Sequence, residues 1–116
     1  MSQSPLNVVI FPMNGDDPFY KDGSAKDSNS KWINLLSLGQ PNNPIKYIEV
    51  VALKDNIIAY VNEEGAYTSS PNPHCPYLFG PIVVTKGSLS DNGDFITKDI
   101  TFNEAKNALS SLIDYE

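Results

Sequence analysis

Arginine is absent from this 116-residue chain, and cysteine, histidine and tryptophan occur once each, as Cys75, His74 and Trp32. Without a guanidinium there is no planar fork to grip phosphate or carboxylate through two parallel hydrogen bonds. The positive residues are eight lysines against fourteen Asp and Glu, a formal net charge of −6. That balance argues against direct nucleic-acid binding, which needs a basic surface to displace counterions from phosphate. One cysteine excludes an internal disulfide framework and any multi-cysteine zinc site. No apolar run approaches the roughly 20 residues of a membrane-spanning helix. The opening residues carry no basic stretch, and the apolar run Leu6 to Phe11 is too short for a secretory leader. The expectation is a cytoplasmic protein with no membrane contact and no cofactor.

What remains is enough for one folded unit. The length fits a single domain, and 41% hydrophobic with 10% aromatic residues can fill a core, which excludes wholesale disorder.

Leu6 to Phe11 (LNVVIF) is β-branched and closed by Pro12, which predicts a buried strand. Residues 12–30 are rich in Gly, Pro, Asp, Asn and Ser and read as a long surface loop. Lys31 to Leu38 sets Trp32, Leu35 and Leu36 at helical spacing, with Ser28 or Ser30 as N-cap and Gly39 as C-cap. Ile45 to Leu53 and Ile57 to Val61 form a hairpin about the Lys54-Asp55-Asn56 turn, the first strand partly covered on both faces. Asn62-Glu63-Glu64-Gly65 is a second turn. Three prolines in Ser69 to Pro76 hold the backbone extended and deny it a regular ladder. Ile82 to Thr85 is a further strand, Gly87 to Gly93 a turn, and Asp94 to Ile100 a strand by alternation. Thr101-Phe102-Asn103-Glu104 is a capping box, followed by one apolar stripe from Phe102 to Ile113. This order predicts an α+β fold: a small antiparallel-rich sheet of about five strands with two helices packed on it.

Several residues invite a chemical role. His74 and Cys75 are adjacent, so they project apart, whereas a thiolate and imidazole pair is normally assembled from separate parts of a fold. Glu63 and Glu64 could act as acid and base only if one were buried; otherwise they are solvated turn charges. Asp16 and Asp17 could touch a cation, although the spacing of a calcium loop is missing. No spaced ligand set predicts a metal site, and no phosphate loop or nucleophile elbow occurs. The segment Tyr67 to Tyr77 reads better as a binding surface: Tyr67 and Tyr77 offer contact area, Asn72 and His74 hydrogen bonds, on a stiffened backbone. Tyrosines at the edge of a core are the plainer alternative.

The ordered string Tyr47-Ile48-Glu49-Val50-Val51, Asn62-Glu63-Glu64-Gly65, Pro71-Asn72 and Phe79-Gly80-Pro81-Ile82-Val83-Val84 resembles a phage-associated family of domains of unknown function. The resemblance covers about residues 45–112, and the expanded segment Asn14 to Ser30 departs from it. It implies a small accessory protein in a viral setting and brings no catalytic residues. The leading expectation is therefore a non-enzymatic protein that binds a host factor, in counter-defence, through Asn62, Glu63, Glu64, Tyr67, Asn72, His74, Tyr77, Asp16 and Asp17. A nucleotide-type ligand is the alternative, stacked on Trp32, Tyr47, Tyr60, Tyr67 or Tyr77 with Lys46, Lys54 or Lys86 at its phosphate. A small hydrolase using Cys75 or the Glu63/Glu64 pair ranks third. An exposed strand edge would further permit a homodimer.

Overall fold

The computed structural model describes residues 6–24, 29–38, 45–64, 70–89, 91–93 and 95–113. The chain order is β1 (Asn7–Phe11), β2 (Phe19–Asp22), α1 (Asn29–Leu38), β3 (Ile48–Ala52), β4 (Ile57–Asn62), β5 (Pro71–Asn72), β6 (Cys75–Phe79), β7 (Ile82–Leu89), β8 (Phe95–Lys98) and α2 (Phe102–Ile113). The fold is α+β, as its order of elements leads one to expect. Six strands form the main sheet in the order β2-β1-β7-β4-β3, with β8 also on β7, and β5 and β6 make a separate hairpin. All these pairings are antiparallel.

β7 is the spine of the sheet. One edge carries β4 along residues 82–86, while the other carries β1 opposite 82–84 and then β8 opposite 86–89. β8 and β1 thus lie end to end, and the Asn7 amide donates to Asp99 Oδ1 across the joint at 2.7 Å.

Alternation sorts the apolar side chains onto two faces. Val9, Phe11, Ile57, Ala59, Val61, Ile82 and Val84 share a cluster with Ala105, Ala108 and Leu109 of α2 and with Cys75 of β6. Val8, Ile10, Tyr60 and Val83 point the other way, into a cluster with Trp32, Leu35 and Leu36 of α1. The helices therefore cover opposite faces of one sheet. Trp32 and Tyr60 stack there with centroids 4.0 Å apart and planes at 12°. Thr85, on β7, is fully buried, and its hydroxyl has no hydrogen-bond partner among the described residues.

The capping box forms as its residues imply. Thr101 Oγ1 accepts from the Glu104 amide at 3.2 Å, and Glu104 Oε1 accepts from the Thr101 amide at 3.2 Å. The β3–β4 turn places Asp55 at φ 57 and Asn56 at φ 63, as a two-residue turn that follows strand twist requires.

The structure corrects several expectations. Residues 12–30 are not a continuous loop: β2 lies within them, paired to β1, and α1 starts at Asn29. β2 escapes a local reading because its only partly buried residue is Phe19 and the other three are exposed. Pro71 lies in β5 and Pro76 in β6, so the segment does pair, though its ladder is irregular as the prolines imply, with a register shift at Pro71/Asn72. Gly87 and Ser88 continue β7 to Leu89 rather than turning. β3 keeps the partial cover expected of it, Ile48 packing on the α1-side cluster and Val51 on the α2-side cluster, but as an edge strand it leaves Glu49, Val50 and Ala52 exposed. Ser30 sits inside α1, while the Ser28 cap, the Gly39 cap and Gly65 fall outside the described residues.

Candidate functional site

Register brings the proposed contact residues to one end of the sheet. Ile82 is opposite Phe11 on one side and Val61 on the other, and Val61 is opposite Glu49. Segments 12–18, 45–47, 62–64 and 80–81 all leave or join the sheet there.

Asn72 fixes this end. Its side chain is fully buried, and Nδ2 donates to the carbonyls of Gly80 at 2.8 Å and Phe11 at 3.1 Å. Oδ1 accepts from the His74 amide at 2.8 Å, closing the turn between β5 and β6. The hairpin is thereby fastened to the end of β1, so Asn72 is scaffold rather than a contact for a ligand. Gly80 permits the approach with φ 78.

His74 sits half-buried above that clamp. Its ring meets Phe11 edge-on at 5.4 Å and 63°, and Nε2 donates to the Asp16 carbonyl at 2.9 Å. That bond requires a proton on Nε2, because a carbonyl can only accept. The loop bearing Asp16 is shaped locally: the Asp16 amide donates to Asn14 Oδ1, and Asn14 Nδ2 donates to Asp16 Oδ2, both at 3.0 Å. Asp16 and Asp17 themselves stay exposed.

Asn62 is also a builder. It is buried, its Oδ1 accepts from the Glu64 amide at 3.0 Å, and the Glu63 amide donates to the Tyr47 carbonyl at 3.0 Å. Glu63 and Glu64 are left exposed on the turn it makes. Tyr77 is 48% exposed on β6. Tyr67 lies outside the described residues.

Other expected chemistry is not assembled. Cys75 is fully buried in the α2-side cluster, not half-buried in a loop, and burial pushes its thiol pKa up, away from the thiolate a nucleophile needs. Among the described residues no group of three or more His, Cys, Asp or Glu is placed to hold a metal. Trp32 and Tyr60 are spent on each other inside the core, which removes two of the rings proposed to stack on a base. Lys86 is paired with Glu104 at 2.5 Å. The Lys86 hydrogen bond, followed by the Thr101 amide, holds the Glu104 carboxyl below its ordinary range.

Two grooves lined by described residues lie at the far end, by the β3–β4 turn. A groove of about 350 Å³ is lined by Ala52, Leu53, Lys54, Ser111 and Leu112. A smaller one of about 150 Å³ adjoins it between Lys54, Asp55, Ile57, Lys86, Glu104 and Asn107. Two contacts had no legible signal in the chain: Tyr20 stacks on Phe102 at 3.8 Å, and its hydroxyl accepts from the Phe102 amide at 2.9 Å.

Comparison with family models, with curated proteins and with solved structures finds no match to this chain.

Proposed function

We propose that this chain is a non-catalytic binding protein whose acidic sheet end engages a basic surface on a partner protein. The observation that supports it is the gathering of four exposed carboxylates, Asp16, Asp17, Glu63 and Glu64, at the end that also carries His74. These groups sit on backbone held by the buried Asn72 and Asn62 amides, so little ordering entropy is lost on contact. The chain's excess of acid and lack of arginine agree with a basic partner, which exposed carboxylates steer and orient. A viral setting, and with it a host protein as the partner, rests on the IEVV, NEEG, PN and GPIVV string alone.

The test is affinity capture from host lysate with the wild type and a variant carrying Asp16→Asn, Asp17→Asn, Glu63→Gln and Glu64→Gln. We expect a partner held by the wild type, released as salt is raised and lost by the variant. Equal recovery of the same partner by both proteins would overturn the assignment.

A further inference from the structure

β3 is an edge of the sheet, with no strand on its outer side among the described residues. The Tyr47 carbonyl accepts from the Glu63 amide, and the Leu53 amide donates to the Ile57 carbonyl at 2.9 Å. Odd-numbered residues along this stretch therefore bond to β4, and alternation leaves the N–H and C=O groups of Ile48, Val50 and Ala52 facing outward. Nothing among the described residues pairs with that side. The opposite edge is guarded differently, since β2 carries Lys21 and Asp22 and follows Pro18. β3 has no lysine, no proline and no bulge, and its only charge is Glu49.

We propose that β3 pairs antiparallel with β3 of a second copy, about a two-fold axis through Val50, extending the sheet through both molecules. Such an axis stands perpendicular to the sheet, so each face continues across the joint. It sets Val50 against Val50 and Ile48 against Ala52, which satisfies the outward groups of both strands. Val50, 54% exposed alone, is then covered.

The register is selected by side chains rather than by backbone. Tyr47 is 58% exposed, and alternation from Val51 places it on the α2 side of the sheet. Pairing through Val50 brings Tyr47 opposite Leu53 of the second copy, beside the groove of about 350 Å³ formed by Leu53, Lys54, Ser111 and Leu112. The same contact repeats at the other end, so knob and groove complement themselves. Sliding two residues one way opposes Glu49 with Glu49; sliding the other way carries Tyr47 past Leu53 to Asp55. One repulsion remains, because Lys46 faces Lys54 of the second copy at the rim, and salt therefore strengthens the association. A strand pair of this length is a small interface, so the dimer dissociates on dilution.

Sedimentation of the full chain over a concentration series reads the mass directly. We expect a monomer that becomes a dimer as concentration rises, tighter at high salt. Val50→Pro and Val50→Lys should leave a folded monomer, and Tyr47→Ala should raise the dissociation constant at least about tenfold. Opposed Val50 Cα atoms about 5.5 Å apart lie within disulfide reach. Val50→Cys should therefore cross-link on mild oxidation and Glu49→Cys should not; the native Cys75 is buried and does not compete. A monomer at every concentration, a dimer unaffected by both Val50 variants, or cross-linking through Glu49→Cys instead would overturn the proposal. The acidic-end variant above leaves β3 intact, so the two readings fail independently.

Discussion

Asn72→Ala would strand the carbonyls of Phe11 and Gly80 and the His74 amide, groups that the Asn72 side chain satisfies within the protein. We expect a loss of about 3 kcal/mol in urea denaturation, since each buried group left unpaired costs about 1–3 kcal/mol. Asn72→Asp should be worse at neutral pH, because a carboxylate would face two carbonyl oxygens. The fold would raise that acid's pKa, so the deficit should shrink as pH falls and the group protonates. Thr85→Val should act in the opposite direction. It replaces a buried, unpartnered hydroxyl with a methyl of the same shape, and a gain of about 1 kcal/mol is expected in the same assay. The sequence marks Asn72 as a polar residue on a stiff segment, which is as far as local chemistry reaches. Its acceptor on Phe11 is 61 positions away, and only the closed sheet makes it a clamp.

The capping box of α2 was legible because all its partners lie within four residues. It also carries a pH signature. The Lys86 hydrogen bond first, and the Thr101 amide after it, favour ionised Glu104, so its stabilisation is full above the ordinary carboxylate value of 4.5 and fades as pH falls below it. The pair is about one-third exposed, and solvent screens it. Glu104→Ala should therefore cost no more than about 1 kcal/mol at pH 7, and the gap between its denaturation curve and the wild type's should narrow as pH falls below 4.5. Elements without local signals were harder to read. β2 is four residues with a single partly buried side chain, so its pairing to β1 is what makes it a strand. Gly87 and Ser88 carry turn chemistry, yet β8 opposite them keeps β7 extended. β3 had the composition of a strand partly covered on both faces, and Ile48 and Val51 are so covered; what composition does not encode is its place last in the strand order, which leaves Val50 exposed.

At the scale of the molecule, the sheet separates two kinds of surface: an acidic loop end and a grooved end by the β3–β4 turn. The loops named from composition at 12–18 and 62–64 meet at the first, and their convergence is set by the Phe11, Ile82 and Val61 register, across strands far apart in sequence. The same register governs how the chain is made. β7 alone bonds to β1, β4 and β8 among the described strands, yet Ile82 lies about 70 residues after its partner Phe11. On a chain leaving the ribosome, β1 can pair only with β2, and β3 only with β4, until β7 emerges, and an isolated two-stranded hairpin is marginal in water. Over that stretch of synthesis Val9 to Phe11 have no strand on their β7 side, so closure waits on a contact of long sequence separation. That interval, rather than the finished fold, is when the nascent protein most needs shielding from its neighbours.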